Sequence, residues 1–175
     1  MSGHIMKSSR EIILEGLLVA MKAEAEGQHF YLMAASSTQD PQGQRVFMQL
    51  ADEEQQHLRF LKTQAESVRE SGRPRNDVEL GQPMALVGSS PIFSKDIRAR
   101  LGDAHFEMTA LSVGIQLELS AERYYLKQSE GIEDETIRAF YGGLAAWEAG
   151  HYRALLAQQD FLKEEYWAAS GFSPF

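Results

Sequence analysis

A chain of 175 residues with 43% apolar and 24% charged side chains suits one globular domain with a substantial core. Its net charge of -8 argues against nucleic acid and anionic membrane surfaces as partners, which favour basic patches. No run of 18 apolar residues or signal pattern occurs, and the lack of cysteine excludes disulfides and thiolate-held metals while fitting a cytoplasmic setting.

Residues 1–8 read as a disordered tail or an expression leftover, ahead of a domain spanning 9–166. Helical periodicity predicts a first helix from about Ser9 to Ser37, with Ser8 or Ser9 as N-cap and Glu11 in its first turn. Its stripe is Leu14, Leu17, Met21, Glu24, Gln28 and Tyr31. A second helix starts near Asp40-Pro41 and continues to about Ser71, carrying Phe47, Leu50, Glu54, His57 and Leu61 on one face. The stretch 72–102 is rich in Gly, Pro and Ser, with a short helix predicted at Ser94 to Arg100. A third helix spans about Asp103 to Ser129, with Met108, Leu111, Ile115, Glu118, Glu122 and Tyr125 in line. Gly131 marks a stop before a fourth helix from about Glu133 to Glu165, striped by Ile137, Tyr141, Leu144, Glu148, His151 and Leu155. Residues 167–175 read as an aromatic C-terminal tail.

Short turns make each helix pair an antiparallel hairpin, and no strand pattern competes. The long middle stretch can cross a helix of about 28 residues, roughly 42 Å, so the third helix begins at the opposite end from where the second stops. The expected class is all-α: a four-helix bundle of two antiparallel pairs joined by a long crossover.

One pattern occurs twice. Glu24, Glu54 and His57 recur 94 residues later as Glu118, Glu148 and His151, and Leu17, Phe30, Tyr31, Leu50 and Leu61 recur as Leu111, Tyr124, Tyr125, Leu144 and Leu155. Each helix pair thus brings one lone Glu and one Glu-x-x-His. Four carboxylates and two imidazoles inside a bundle are the donor set that two first-row transition metals need. These ionisable groups interrupt apolar stripes, where an unpaired carboxylate is costly and metal ligation offsets the cost. A third Glu-x-x-His, Glu26 with His29, lacks a counterpart in the repeat and falls off the stripe, so it faces solvent. Tyr31 and Tyr125 stand two turns along the same face from the lone Glu and are placed to hydrogen-bond a ligand carboxylate. Glu122, one turn from Glu118, is a candidate seventh ligand or proton carrier, although its repeat-mate Gln28 favours a structural role near the rim. Trp147, Trp167 and the helical methionines read as packing, and His4, His29 and His105 as surface residues.

Four segments resemble the rubrerythrin di-iron domain of the ferritin-like superfamily. They are Met21-Lys-Ala-Glu-Ala-Glu-Gly-Gln-His-Phe-Tyr31, Leu50-Ala-Asp-Glu-Glu-Gln-Gln-His57, Gln116-Leu-Glu-Leu-Ser-Ala-Glu-Arg-Tyr-Tyr125 and Ala146-Trp-Glu-Ala-Gly-His151. The resemblance implies a ferritin-like bundle binding two irons through Glu24, Glu54, His57, Glu118, Glu148 and His151, with manganese or zinc suited to the same donors. It further implies a non-haem di-iron oxidoreductase that reduces hydrogen peroxide, or meets dioxygen, while the long crossover and aromatic tail point to a homodimer. Glu54 fits the motif better than Glu53, because only Glu54 stands three residues before His57. Two departures stand out. The cysteine-bearing rubredoxin module of rubrerythrins is missing, so electrons would come from a separate rubredoxin-like protein or a small reductant. The extra ligand Glu three residues beyond the third helix's lone Glu is Ala121 here, which leaves the symmetric six-ligand form. The alternatives are a ferroxidase or iron-handling protein, and a non-catalytic metal-binding helical bundle.

Overall fold

In the computed structural model, residues 8–75, 77, 105–130 and 132–170 are described. Ser8 begins the first helix through a capping box: its hydroxyl accepts from the Glu11 amide at 3.3 Å, and the Glu11 carboxylate accepts from the Ser8 amide at 2.8 Å. Helix α1 then covers Ser9–Ser37. Three residues later Asp40 caps α2 (Pro41–Ser71), accepting from the Gly43 amide at 2.8 Å with Pro41 in the first turn. Gly72 closes α2 in the left-handed region at φ 81°, a conformation that only glycine enters without steric cost. Helix α3 covers His105–Ser129, and α4 covers Glu135–Ser170. No strand occurs among the described residues.

The start of α4 lies two residues beyond the expected Glu133. Asp134 is the reason: its carboxylate accepts from the amides of Thr136 at 3.0 Å and Ile137 at 3.3 Å, the bonding of an N-cap. The far end also differs, since residues 167–170 are helix and not tail; Ala168 and Ala169 are strong helix formers. Gly131, the short helix expected at 94–100, and residues 171–175 lie outside the described residues, as does His4.

Each helix buries residues at alternating steps of four and three. On α1 these are Ile13, Leu17, Ala20, Glu24, Gly27, Tyr31 and Ala34; on α4 they run Ile137, Tyr141, Leu144, Glu148, His151, Leu155, Gln158, Leu162. A period of 3.5 residues is the seam of helices that pack at a shallow left-handed crossing. The α1 seam therefore runs through Ile13 and Ala20, one position before the expected Leu14 and Met21, which are half-buried beside it. Met33 and Met48 fall off the seam and are 48% and 43% exposed, so they are surface residues and not core fill.

Two apolar clusters fix the helix directions. One joins the C-terminal half of α1 (Tyr31, Ala34) to the start of α2 (Phe47, Leu50), the start of α3 (Leu111) and the end of α4 (Leu155, Leu162). The other joins the start of α1 (Ile13, Leu17) to the end of α2 (Leu61, Val68), the end of α3 (Tyr125) and the start of α4 (Tyr141, Leu144). So α2 and α3 run parallel, with the end of α2 and the start of α3 at opposite ends of the bundle. Polar contacts support the same pairing of ends. Thr38 donates to Glu107 at 2.7 Å where α1 stops and α3 starts, and Arg73 meets Asp134 at 3.6 Å where α2 stops and α4 starts. The result is an all-α four-helix bundle of two antiparallel helix pairs.

Candidate metal centre

Between the two apolar clusters the seam changes character. Glu24 on α1, Glu54 and His57 on α2, Glu118 on α3, and Glu148 and His151 on α4 are all buried, His57 completely. Heptad spacing puts them there: each occupies a seam position that carries an apolar side chain one or two turns away. They form two overlapping groups in which one ligand atom per residue lies within 4.8 Å of the others. One is Glu54, Glu118, Glu148 and His151; the other is Glu24, His57 and Glu148, so Glu148 is common to both.

The two imidazoles lie nearly parallel, 15° apart with centroids separated by 5.7 Å, and both turn Nδ1 toward the carboxylates. His57 Nδ1 stands 3.0 Å from Glu24, 3.4 Å from Glu148 and 3.6 Å from Glu54. His151 Nδ1 stands 3.4 Å from Glu118 and 3.9 Å from Glu148. Burial and the charges of neighbouring carboxylates, Glu118 on Glu54 and Glu24 on Glu148, push Glu54 and Glu148 well above the usual carboxylate range. Burial is the largest single influence on Glu24 and Glu118 and works to raise them. The hydrogen bonds and charge of His57 and His151, together with bonds to a neighbouring carboxyl and a tyrosine, nevertheless hold both below that range. Desolvation lowers the imidazoles, but their carboxylate partners reverse it: His57 is raised, and His151 reaches about 10.

Tyr31 and Tyr125 reach the cluster, and they do so crosswise. Tyr31 of α1 donates to Glu118 of α3, and Tyr125 of α3 donates to Glu24 of α1. Burial, followed by the charge of the carboxylate each one faces, raises both phenols well above their ordinary value, so they stay protonated donors. Gly114 makes room for this on α3: a β-carbon there would lie 3.2 Å from the Tyr31 hydroxyl. Glu122 is half-buried and belongs to neither group. Glu26, His29 and His105 are exposed.

Glu53 was not expected at the centre. It is buried, and its carboxylate lies 2.6 Å from Nε2 of His151, the ring nitrogen turned away from the cluster. Its signal in the sequence is faint. It is one of three consecutive acids, Asp52-Glu53-Glu54, and its repeat-mate is Trp147, so the repeat hides it. Trp147 packs edge-on against His57, with centroids 5.1 Å apart and ring planes at 82°, and lies 6.4 Å from His151.

The arrangement fits a metal. Two buried atoms, His151 Nδ1 and Glu148 Oε1, have no hydrogen-bond partner among the described residues. Both residues offer ligand atoms within 4.8 Å of the others in their group, close enough for one cation to be shared. Four carboxylates with one negative charge each balance two divalent ions, and carboxylate with imidazole suits iron, manganese or zinc. Glu24 with His57 would serve one ion and Glu54, Glu118 and His151 the other, with Glu148 shared by both groups.

No helix of the described residues is long and apolar enough to cross a membrane. No curated protein and no solved structure matches the chain. A family model does match, that of the ferritin-like domain, over residues 14–159, a span that holds all six cluster residues and both tyrosines. The chain belongs to the ferritin-like domain family.

Proposed function

We propose that the protein is a di-iron oxidoreductase of the rubrerythrin-like kind, reducing hydrogen peroxide with electrons from an external donor. The observation that carries this reading is the buried layer of four Glu and two His, backed crosswise by Tyr31 and Tyr125. Reduction of hydrogen peroxide to two waters takes two electrons and two protons, and a pair of ferrous ions supplies the two electrons when bound.

The chain's own contribution is position and environment. Glu24 and His57 stand on one side of the site and Glu54, Glu118 and His151 on the other, with Glu148 common to both. Tyr31 and Tyr125 orient Glu118 and Glu24 by hydrogen bonds, which fixes the carboxylate oxygens left for ligation. The apolar clusters on either side exclude bulk water from the layer. With no cysteine in the chain, re-reduction falls to a separate donor.

The test is anaerobic loading with ferrous iron, followed by stopped-flow mixing with peroxide or with air-saturated buffer. The expected outcome is about two irons per chain, oxidised faster by peroxide than by dioxygen. Faster oxidation by dioxygen would move the reading to a ferroxidase, and failure to bind iron would leave a bundle without this chemistry.

A further inference from the structure

The 94-residue repeat pairs the six cluster residues and both tyrosines, but it breaks at a position that touches both imidazoles. At position 53 stands a carboxylate; at its repeat-mate, 147, stands an indole. Their surroundings differ accordingly. His151 has its outward nitrogen, Nε2, 2.6 Å from Glu53. Nε2 of His57 is buried with no hydrogen-bond partner among the described residues, and the aromatic edge contact of Trp147 occupies that side chain's flank. The indole nitrogen of Trp147 is likewise buried and unpartnered.

We infer that the two metal positions are unequal, with the one served by His151 and Glu118 the tighter, and that Glu53 is the positioning residue responsible. The inference rests on the metal reading of the cluster and adds to it an order of filling. A metal at Nδ1 needs a lone pair there, so the ring proton must sit on Nε2. In His151 that N–H has an acceptor: the Glu53 carboxylate accepts its hydrogen bond, fixes the tautomer and ring orientation, and makes Nδ1 a better donor. In His57 no described residue accepts the Nε2 proton, so among them this tautomer is held only by packing. Carboxylates placed in this way are worth 10- to 100-fold in metal affinity. Trp147 offers no compensating acceptor, because an indole nitrogen only donates.

Titration of the metal-free full chain with cobalt(II), followed by calorimetry and ligand-field absorption, separates the two positions without reference to turnover. The expected wild-type result is two steps, the first tighter. Glu53→Ala weakens the first step about 10- to 100-fold and leaves the second in place. Glu53→Gln, whose carbonyl oxygen still accepts from Nε2, falls between the two and carries the test should the alanine variant fail to fold. Trp147→Glu supplies His57 with the missing acceptor and narrows the gap between the steps. A purely structural role for Glu53 would lower the melting temperature and shift both steps together. That outcome, or two indistinguishable wild-type steps, overturns the inequality while leaving the metal centre standing; no cobalt binding at all overturns both.

Discussion

The middle of the bundle and the layers that flank it share one seam yet are held by opposite physics. In the flanking layers Phe47, Leu50, Leu111 and Leu155 on one side, and Leu17, Leu61, Tyr141 and Leu144 on the other, are stabilised by leaving water. In the middle, four carboxylates and two imidazoles lose their hydration and gain mainly one another. The flanking layers therefore stabilise the fold, and the middle layer is held in place by them. A buried polar layer of this kind is tolerated because the seam on either side is continuous and apolar.

The largest effect belongs to the flanks. Phe47→Ala is expected to lower unfolding free energy by about 3–5 kcal/mol, measured by urea denaturation of the metal-free chain. The double change Glu54→Leu/Glu148→Leu should have the opposite sign, raising metal-free stability by roughly 1–4 kcal/mol while abolishing binding of ferrous iron or cobalt. Equal signs for these two would break the comparison between layers. A pH series sharpens it. His151 is raised from 6.5 to about 10 in the folded chain, and His57 is also raised, by carboxylate neighbours. Stability from that pairing is present in full below pH 6.5 and is lost as pH climbs through about 10. Metal-free protein should thus denature at lower urea near its upper limit than near neutrality. The smallest effect belongs to the surface: Glu26→Gln, at an exposed ion pair 3.6 Å from Lys22, should change stability by less than about 0.5 kcal/mol and leave metal content untouched.

Helix starts with chemical caps were readable from the chain, because Ser8 and Asp40 announce themselves by residue type. Asp134 carries the same signal, but the two acids flanking it, Glu133 and Glu135, obscured which one caps. The grouping of Glu24, Glu54, His57, Glu118, Glu148 and His151 was legible because repetition turns a weak motif into a strong one. Three things were not. The α1 seam runs through Ala20 and Gly27, which carry little hydrophobic signal, so the neighbouring Leu14 and Met21 drew the stripe off by one position. The crosswise bonding of Tyr31 and Tyr125 depends on which helices face each other at that height, a tertiary fact. Glu53 stands off the regular four-and-three spacing of α2 and has no acidic counterpart, so neither periodicity nor repetition marks it.

The crossover topology has a consequence for symmetry. With α2 parallel to α3, the hairpins 9–71 and 105–170 meet as two copies related by a local two-fold, and Tyr31 to Glu118 with Tyr125 to Glu24 is the reciprocal exchange of an isologous contact. Two separate identical subunits would be obliged to present the same residue on both sides of such an axis. Covalent linkage lifts that obligation, and positions 53 and 147 are where this chain uses the freedom, setting an acid against one imidazole and an indole against the other.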